Sequence, residues 1–506
     1  MLLARLVAGS EAAASTRSRT AKIAALREVL AGAAEDELAT AVAFLSGDTP
    51  TGRIGVGWAT LAALTVQPAA EPSLSLAETA LAFRQIEATV GSGSNTARTD
   101  LLAGLFGRAT AAEANFLRRL LVGELRQGAS ESLVADAAAR ACGVAPAALQ
   151  RAWMLTGDLG RAVTIARSEG DGGLAGLSLV VGVPVRPMLA STAASPTEAL
   201  ASIAGLASVE YKLDGARIQV HRDGSDVAIF TRNLNDVTAR LADLVARILR
   251  LGADRFVLDG EVIGLAEESD RPRAFQDTIG DFSRDDPGAS NRAVLTPYFF
   301  DCLHLAGENL IDRALADRLV ALGEAVPAHR VHAVATVEAS QAEAVLASSL
   351  ASGHEGIMVK ALDSTYAAGR RGSQWLKVKP VRTFDLVVLA AEWGHGRRQG
   401  WLSNLHLGAR AADGSFVMVG KTFKGLTDDL LRWQTAELLA RRTEERAGTV
   451  FVSTELVVEI ALDGVQASTR YPGGVALRFA RVRRYRNDKT PAEADLLADL
   501  QALLVR

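Results

Sequence analysis

A chain of 506 residues has room for roughly two to four domains, and 49% hydrophobic with 22% charged residues is typical of globular proteins with a large core. The two cysteines, Cys142 and Cys302, form no C-x-x-C pair, which argues against a zinc module and against a disulfide framework. The formal net charge of −3 gives no general attraction for nucleic acid, and the lack of a leader or a long apolar run predicts a cytoplasmic protein with no membrane partner.

The first region, residues 1–182, is rich in alanine and leucine at helical spacing, and almost nothing in it alternates as a strand would. We therefore predict an all-helical domain. Two glycine-containing turns interrupt the helices, one within residues 45–58 and one at Gly123–Gly128. From the residues alone, each turn is explained most simply as the end of a helix.

The second region, residues 183–380, changes to short strands, Gly and Asp turns and isolated helices, one of them predicted near residues 237–251. Its main motif is Glu210-Tyr211-Lys212-Leu213-Asp214-Gly215-Ala216-Arg217. The residues after the motif alternate in polarity around an Asp-Gly turn, so Lys212 should open a β-hairpin. A lysine attacks phosphorus only when neutral, whereas its ordinary pKa is about 10.4, so nearby cations would be needed to lower that pKa.

Such cations occur in the segment Trp375-Leu376-Lys377-Val378-Lys379, where period-two alternation points both lysines to one face. The alternative is an exposed edge strand with solvated lysines. Two other strand-like segments carry Glu261 and Glu355, whose oxygens suit Mg²⁺ beside phosphates, although solvated turn residues are the simpler explanation. The aromatic run that contains Phe300 could stack on a purine or could simply be buried.

The third region, residues 381–506, begins with a strand at Asp385–Leu389 and continues through a basic glycine loop and several short strands around a helix near Leu430. This order predicts a small β-barrel of the OB type. The region ends with a dense basic stretch, Arg478–Lys489, which would attract phosphate unless it is only a solvated tail.

In their order and residue types, these segments resemble those of the covalent nucleotidyltransferases, and the chain as a whole resembles the ATP-dependent DNA ligases. The helical region also resembles the DNA-binding domain of that family, notably at Gly123–Gly128, and the length is similar to that of compact bacterial and archaeal members. The resemblance depends on seven motifs: the Lys212 motif, Thr231-Arg232-Asn233, Asp259-Gly260-Glu261, the Phe300 strand, Glu355-Gly356 with Lys360, the Lys377/Lys379 strand, and Arg486-x-Asp488-Lys489.

The resemblance implies a multidomain α+β fold with a helical DNA-binding domain (1–182), a central adenylation domain (183–380) and a C-terminal OB-fold domain (381–506). It implies that the enzyme seals nicks in duplex DNA by three phosphoryl transfers. AMP passes from ATP to Lys212 and then to the 5′-phosphate, after which the 3′-hydroxyl displaces it. It further implies Mg²⁺ or Mn²⁺ as a cofactor, and a monomer that encircles nicked double-stranded DNA at the nucleoid of a bacterium or archaeon.

For individual residues, the resemblance implies that Lys212 carries AMP, that Glu210 reads the adenine amino group and that Phe300 stacks on the base. Glu261 would lie near the ribose and would bind the metal together with Glu355. Further residues are expected to contact the phosphates and the ribose, the last two by closing over the triphosphate: Arg217, Arg232, Arg371, Lys377, Lys379, Arg486 and Lys489.

Four other kinds of protein are alternatives to this interpretation. An RNA ligase or a capping-type guanylyltransferase would contain the lysine motif but is not expected to carry the N-terminal helical domain. A catalytically silent nucleic-acid-binding protein would not need Lys212, Glu261, Glu355 and Lys379 together. An NAD-dependent ligase is expected to carry a four-cysteine zinc module, and this chain has only two cysteines.

Overall fold

The N-terminal region is built from helices whose apolar faces form one core, as predicted. The structure is a computed structural model that describes residues 1–49, 56–266, 269–272, 294–368, 371–395 and 398–504. Side chains such as Phe44, Phe83 and Phe106 are buried in that core because apolar residues recur every third or fourth position. The helices are α1 (Leu3–Ala14), α2 (Arg19–Ala31), α3 (Glu35–Ser46), α4 (Trp58–Ala63), α5 (Leu76–Ala88), α6 (Ser94–Arg108), α7 (Ala111–Leu121), α8 (Glu131–Cys142), α9 (Pro146–Thr156) and α10 (Leu159–Ala175).

Polar side chains fix where several of these helices begin. The Ser75 hydroxyl caps α5 by accepting from the Glu78 amide, and Thr110 caps α7 in the same way. Within the described ranges, no single helix has the length and apolar composition to cross a membrane, and only the bent pair α8 and α9, which meet at 119°, satisfies both criteria when the two are taken together.

The helical region packs against the central region through an apolar cluster that includes Met154, Val185, Met188 and Trp375. Beside this cluster, the Arg186 guanidinium lies 3.6 Å from the Trp153 ring centroid. These contacts place the end of α9 directly behind strands of the central region.

The central region contains two sheets that face each other. The first has the strand order β1-β11-β10-β2-β9, and the second has the order β4-β3-β5-β7-β8 with β6 on β5. In the described part of this region, four helices cover them: α11 (Pro196–Ala201), α12 (Ala242–Ile248), α13 (Leu315–Ala325) and α14 (Ala339–Ala351). The strands are β1 (Leu189–Ala193), β2 (Ala207–Lys212), β3 (Ala216–Asp223), β4 (Asp226–Thr231), β5 (Arg255–Ala266), β6 (Ser269–Pro272), β7 (Val294–Leu305), β8 (Glu308–Asn309), β9 (Ala333–Thr336), β10 (Gly356–Ala361) and β11 (Arg371–Val378).

The predicted hairpin is present as β3 and β4, and Gly224 in its turn has φ of 63°. Lys212, however, is the last residue of β2, in the other sheet. The chain therefore crosses from one sheet to the other immediately after the lysine. Gly215 permits this crossing because a Cβ there would lie 2.2 Å from the Val262 carbonyl oxygen.

The C-terminal region is a mostly antiparallel domain with a helix packed against its sheet. Its long first strand, β12, pairs with β13, β16 and β17, so one strand takes part in two halves of a seven-stranded sheet. The OB-type barrel stays a prediction. The elements are β12 (Arg382–Trp393), β13 (Leu402–Arg410), β14 (Phe416–Thr422), α15 (Asp428–Ala440), β15 (Arg442–Arg446), β16 (Thr449–Val452), β17 (Val457–Leu462), β18 (Gly464–Ala467), β19 (Val475–Arg478), β20 (Arg481–Tyr485) and α16 (Leu497–Gln501).

Candidate active site

A cavity of about 810 Å³ lies between the two central sheets, and part of the C-terminal region forms one of its walls. Its size suits a nucleotide, since ligand sites commonly have roughly 300–1,000 Å³. The cavity brings together nine of the residues singled out in the sequence, namely Glu210, Lys212, Arg217, Arg232, Glu261, Phe300, Glu355, Lys377 and Lys379.

Lys212 lies at the mouth of this cavity, where it shares one carboxylate with a second lysine. Its Nζ lies 2.5 Å from Glu355 Oε2, and Lys379 Nζ lies 2.7 Å from the same oxygen. Burial raises the pKa of Glu355, but the two ammonium groups outweigh burial and lower that pKa to about 2. Glu355 is therefore ionised at neutral pH and balances part of the charge of both lysines.

Glu261 projects into the same space from β5, opposite Arg217 in the ladder with β3. Its Oε1 accepts a hydrogen bond of 3.2 Å from the Gly215 amide. Burial raises the pKa of Glu261 to about 7, although the charges of Lys212 and Arg217 oppose that rise. The charges of Lys212 and Arg217 do not offset the burial of Glu261. A further cation bound nearby would therefore stabilise its ionised form.

The donors in the cavity fit a magnesium or manganese ion that is held partly by its nucleotide. Within the described ranges, no group of three or more His, Cys, Asp or Glu residues is arranged to hold a metal without help. Magnesium usually needs only one or two carboxylates when substrate phosphates supply further oxygens, and Glu261 and Glu355 provide two.

The closed end of the cavity is formed by a buried ion pair between aromatic rings. Lys360 Nζ lies 2.5 Å from Glu210 Oε2, and the Ser208 hydroxyl donates to Glu210 Oε1 at 2.9 Å. The same ammonium lies 4.4 Å from the Phe300 ring centroid and 4.3 Å from that of Trp375. The sequence motif contained Lys360, but its proximity to Glu210 depends on the pairing of β2 with β10, which the motif does not reveal.

Hydrogen bonds to groups of the protein hold the Arg217 side chain in place. It donates to both carboxylate oxygens of Asp259, at 3.0 and 2.7 Å, and to the Met188 carbonyl at 2.8 Å. The Tyr366 hydroxyl donates to Asp259 at 2.7 Å, and burial raises the pKa of that hydroxyl. The side chain of Arg371, which begins β11, lies outside the part of the chain that the structure describes.

The C-terminal region reaches the cavity through a different part of its basic stretch than the sequence suggested. Arg478 donates to Asp214 at 2.9 Å and lies 3.9 Å from Glu355. Phe479, which has φ of 55° and is 57% exposed, also lines the cavity. Lys424, Asp463 and Arg481 also line this wall.

Arg486 and Lys489, which were expected to close over the triphosphate, are not among the residues that line this cavity. They bind Asp385 at 2.8 and 2.6 Å, and Arg486 also binds Asp488 at 2.7 Å. These carboxylates belong to the C-terminal region itself and hold both cations at the base of β12. The basic stretch alone could not reveal which of its arginines has an internal partner.

In the helical region, the loop Gly123–Gly128 follows α7 and packs against a buried lysine. Gly128 has φ of 64°, and a Cβ there would lie 2.7 Å from Lys22 Nζ. Lys22 is buried and donates to the carbonyl oxygens of Ala13 at 2.8 Å and Gln127 at 3.0 Å. Lys22 could not be singled out from its helical spacing, because a lysine on an amphipathic helix normally faces water. Residues 50–55 of the other glycine turn lie outside the described ranges.

Comparisons with known proteins find the same family that the motifs in this cavity resemble. The ATP dependent DNA ligase domain matches residues 187–379, the ATP dependent DNA ligase C terminal region matches 398–489, and the DNA ligase N terminus matches 63–139. A probable DNA ligase of Saccharopolyspora erythraea is 54% identical over 98% of this chain and 97% of its own length. A probable DNA ligase of Nocardia farcinica is 50% identical, with both chains covered completely. The solved structure Pmar-Lig_PreS3 has the same fold, with a TM-score of 0.63 and 19% identity over 95% of this chain and 99% of its own.

Proposed function

Because the chain belongs to the ATP-dependent DNA ligases, we propose that this cavity is the site where ATP is bound and where Lys212 becomes adenylated. Nick sealing is the activity of the family. The observation that supports the placement is that Lys212 opens onto a cavity with Glu210 and Phe300 at its closed end and a group of cations at its mouth. The base would lie at the closed end, and the triphosphate would extend past Lys212 toward Lys379 and Arg478.

In the first step, Lys212 Nζ attacks the α-phosphorus, an N–P bond forms, and the bond to pyrophosphate breaks. Lys212 must be neutral for this attack, so its ion pair with Glu355 has to open and its ammonium has to lose a proton. We infer that Glu355 turns from Lys212 when the nucleotide binds. A magnesium or manganese ion held by Glu261 and Glu355 would neutralise charge on the phosphates. Lys379 and Arg478 would stabilise the departing pyrophosphate.

The later steps require DNA at the same cavity. AMP passes from Lys212 to the 5′-phosphate of a nick, and the 3′-hydroxyl then attacks that phosphorus and releases AMP. The helical domain (1–182) would grip the duplex with Gly123–Gly128 through phosphates, without reading the base sequence. With the adenylation domain (183–380) and an OB-fold domain (381–506), a monomer would encircle nicked duplex DNA.

The decisive test is covalent labelling of the chain by a radioactive nucleotide. The chain is incubated in turn with labelled ATP, GTP and NAD in the presence of Mg²⁺ and then separated on a denaturing gel. ATP alone should label it. Lys212→Ala should abolish the label, because the proposal assigns the attack on the α-phosphorus to the Lys212 amine. Lys22→Met is the matched control, since it removes a lysine of the helical region and should leave labelling intact. Full labelling of Lys212→Ala would refute the proposed mechanism.

A further inference from the structure

The closed end of the cavity contains an ion pair that is removed from water. Lys360 and Glu210 are only 1% and 3% exposed, and their charged atoms lie 2.5 Å apart. The Lys360 ammonium also donates to the Phe300 carbonyl at 3.2 Å and is flanked by two aromatic rings. A buried ion pair is rarely better for stability than a well-packed apolar pair, so this arrangement calls for another role.

We propose that Lys360 determines the purine specificity of the cavity by keeping Glu210 a hydrogen-bond acceptor where it faces the base. The inference depends on the proposed ATP site, in which Glu210 reads the adenine amino group. Lys360 is then a positioning residue, because it acts on the base through Glu210.

Recognition of the base depends on the direction of one hydrogen bond. An ionised carboxylate can only accept hydrogen bonds, whereas a protonated carboxyl can also donate one. The 6-amino group of adenine donates, and the 6-oxo group of guanine or hypoxanthine accepts. With Glu210 ionised, the site favours adenine, and with Glu210 protonated it would tolerate a 6-oxopurine.

The surroundings of Glu210 make this charge state depend on Lys360. Burial raises the pKa of Glu210 above its ordinary value even beside Lys360, which opposes that rise most strongly; the Ser208 hydroxyl also opposes it, and Asp301 adds to it. Asp301 is itself held by Arg318, whose Nε lies 2.7 Å from its Oδ1. If Lys360 lost its charge, Glu210 would keep the Ser208 hydroxyl but would face Asp301 without its ammonium partner. A carboxylate buried in this way takes up a proton.

The test compares labelling of the full-length chain by ATP, by inosine triphosphate and by purine riboside triphosphate, which carries no 6-substituent. The specificity is the ratio of kcat/KM for ATP to that for inosine triphosphate. Lys360→Met should lower this ratio about tenfold or more, because a site that hydrogen-bonds its substrate discriminates strongly between substituents. Raising the pH should restore part of the ratio in Lys360→Met, because Glu210 then loses its proton. Lys360→Arg keeps the charge and should keep the ratio.

A loss of packing would have a different signature, because it would slow labelling by all three nucleotides by the same factor. An unchanged ratio in Lys360→Met at every pH, together with a lowered ratio in Glu210→Gln, would overturn the inference alone. An unchanged ratio in Glu210→Gln would instead overturn the placement of the base, and the inference with it.

If Lys360→Met does not fold, the double variant Glu210→Gln/Lys360→Met removes both charges and leaves no unpaired ion. Its amide can donate or accept, so we expect its ratio to fall to within a few fold of one. A double variant that keeps the wild-type preference for ATP would also overturn the proposal.

Discussion

Replacing Arg478 with alanine removes a cation through which the C-terminal region reaches the cavity. Its guanidinium donates to Asp214 at 2.9 Å, and the two side chains are 21% and 24% exposed. A hydrogen bond between charged groups contributes about 1.5–3 kcal/mol, and partial exposure reduces that to about 1–2 kcal/mol here. The equilibrium constant for the arrangement in which the C-terminal region covers the cavity should therefore fall roughly 5- to 30-fold in Arg478→Ala.

The assay separates the first step from the last. Single-turnover labelling of Lys212 by ATP should slow by up to that factor in Arg478→Ala, since we propose that pyrophosphate leaves while the C-terminal region covers the cavity. Joining of a nick that already carries 5′-AMP should change much less. Equal losses in both reactions, with an unchanged Tm, would refute the reasoning.

Arg486→Ala is the matched control, since Arg486 belongs to the same basic stretch but binds Asp385 and Asp488. Its labelling rate should stay within about threefold of the wild type, because its partners belong to the C-terminal region and Arg486 does not line the cavity. A loss as large as that of Arg478→Ala would support the earlier expectation that Arg486 and Lys489 close over the triphosphate.

Two further predictions concern other parts of the chain. Lys22→Met should weaken binding to nicked DNA by about tenfold in an anisotropy titration, because the loop that ends at Gly128 loses the cation packed against it. Impaired ATP labelling in this variant would contradict that explanation. Burial raises the pKa of Glu261 to about 7, so in the nucleotide-free chain this carboxyl contributes fully to stability below about pH 4 and loses that contribution as the pH rises through 7. Glu261→Gln, which cannot titrate, should thus gain about 1–3 kcal/mol relative to the wild type between pH 5 and pH 8, and a difference in Tm that stays constant over this range would exclude the effect.

Local periodicity predicted those features that depend on a single strand or turn. Lys377 and Lys379 were expected on one face because alternation is a property of any strand, and both line the cavity. The predicted helix near residues 237–251 is shorter in the structure, where α12 spans Ala242–Ile248 after a 3₁₀ turn. The Thr238 hydroxyl accepts a hydrogen bond from the Ile229 amide, a tertiary contact that helical spacing does not predict.

Features that depend on which elements meet could not be predicted in this way. Lys360 and Lys22 are buried, yet a lysine in a short strand or on an amphipathic helix would ordinarily be placed in water. The partners that allow their burial come from distant segments, Glu210 for one and the Gln127 carbonyl for the other. The same reason explains why Arg478 could not be distinguished from Arg486.

The packing of the helical region behind the cavity has a consequence for protein engineering. Trp375 forms part of the cavity wall and also belongs to the apolar cluster that contains Met154 of α9. A chimera that exchanges the helical region for that of a relative would therefore change the side chains that support a nucleotide-binding strand. In such a chimera, Met154 and its neighbours would have to be matched to the recipient. Otherwise the exchange would disturb ATP binding, although it was designed to change only DNA binding.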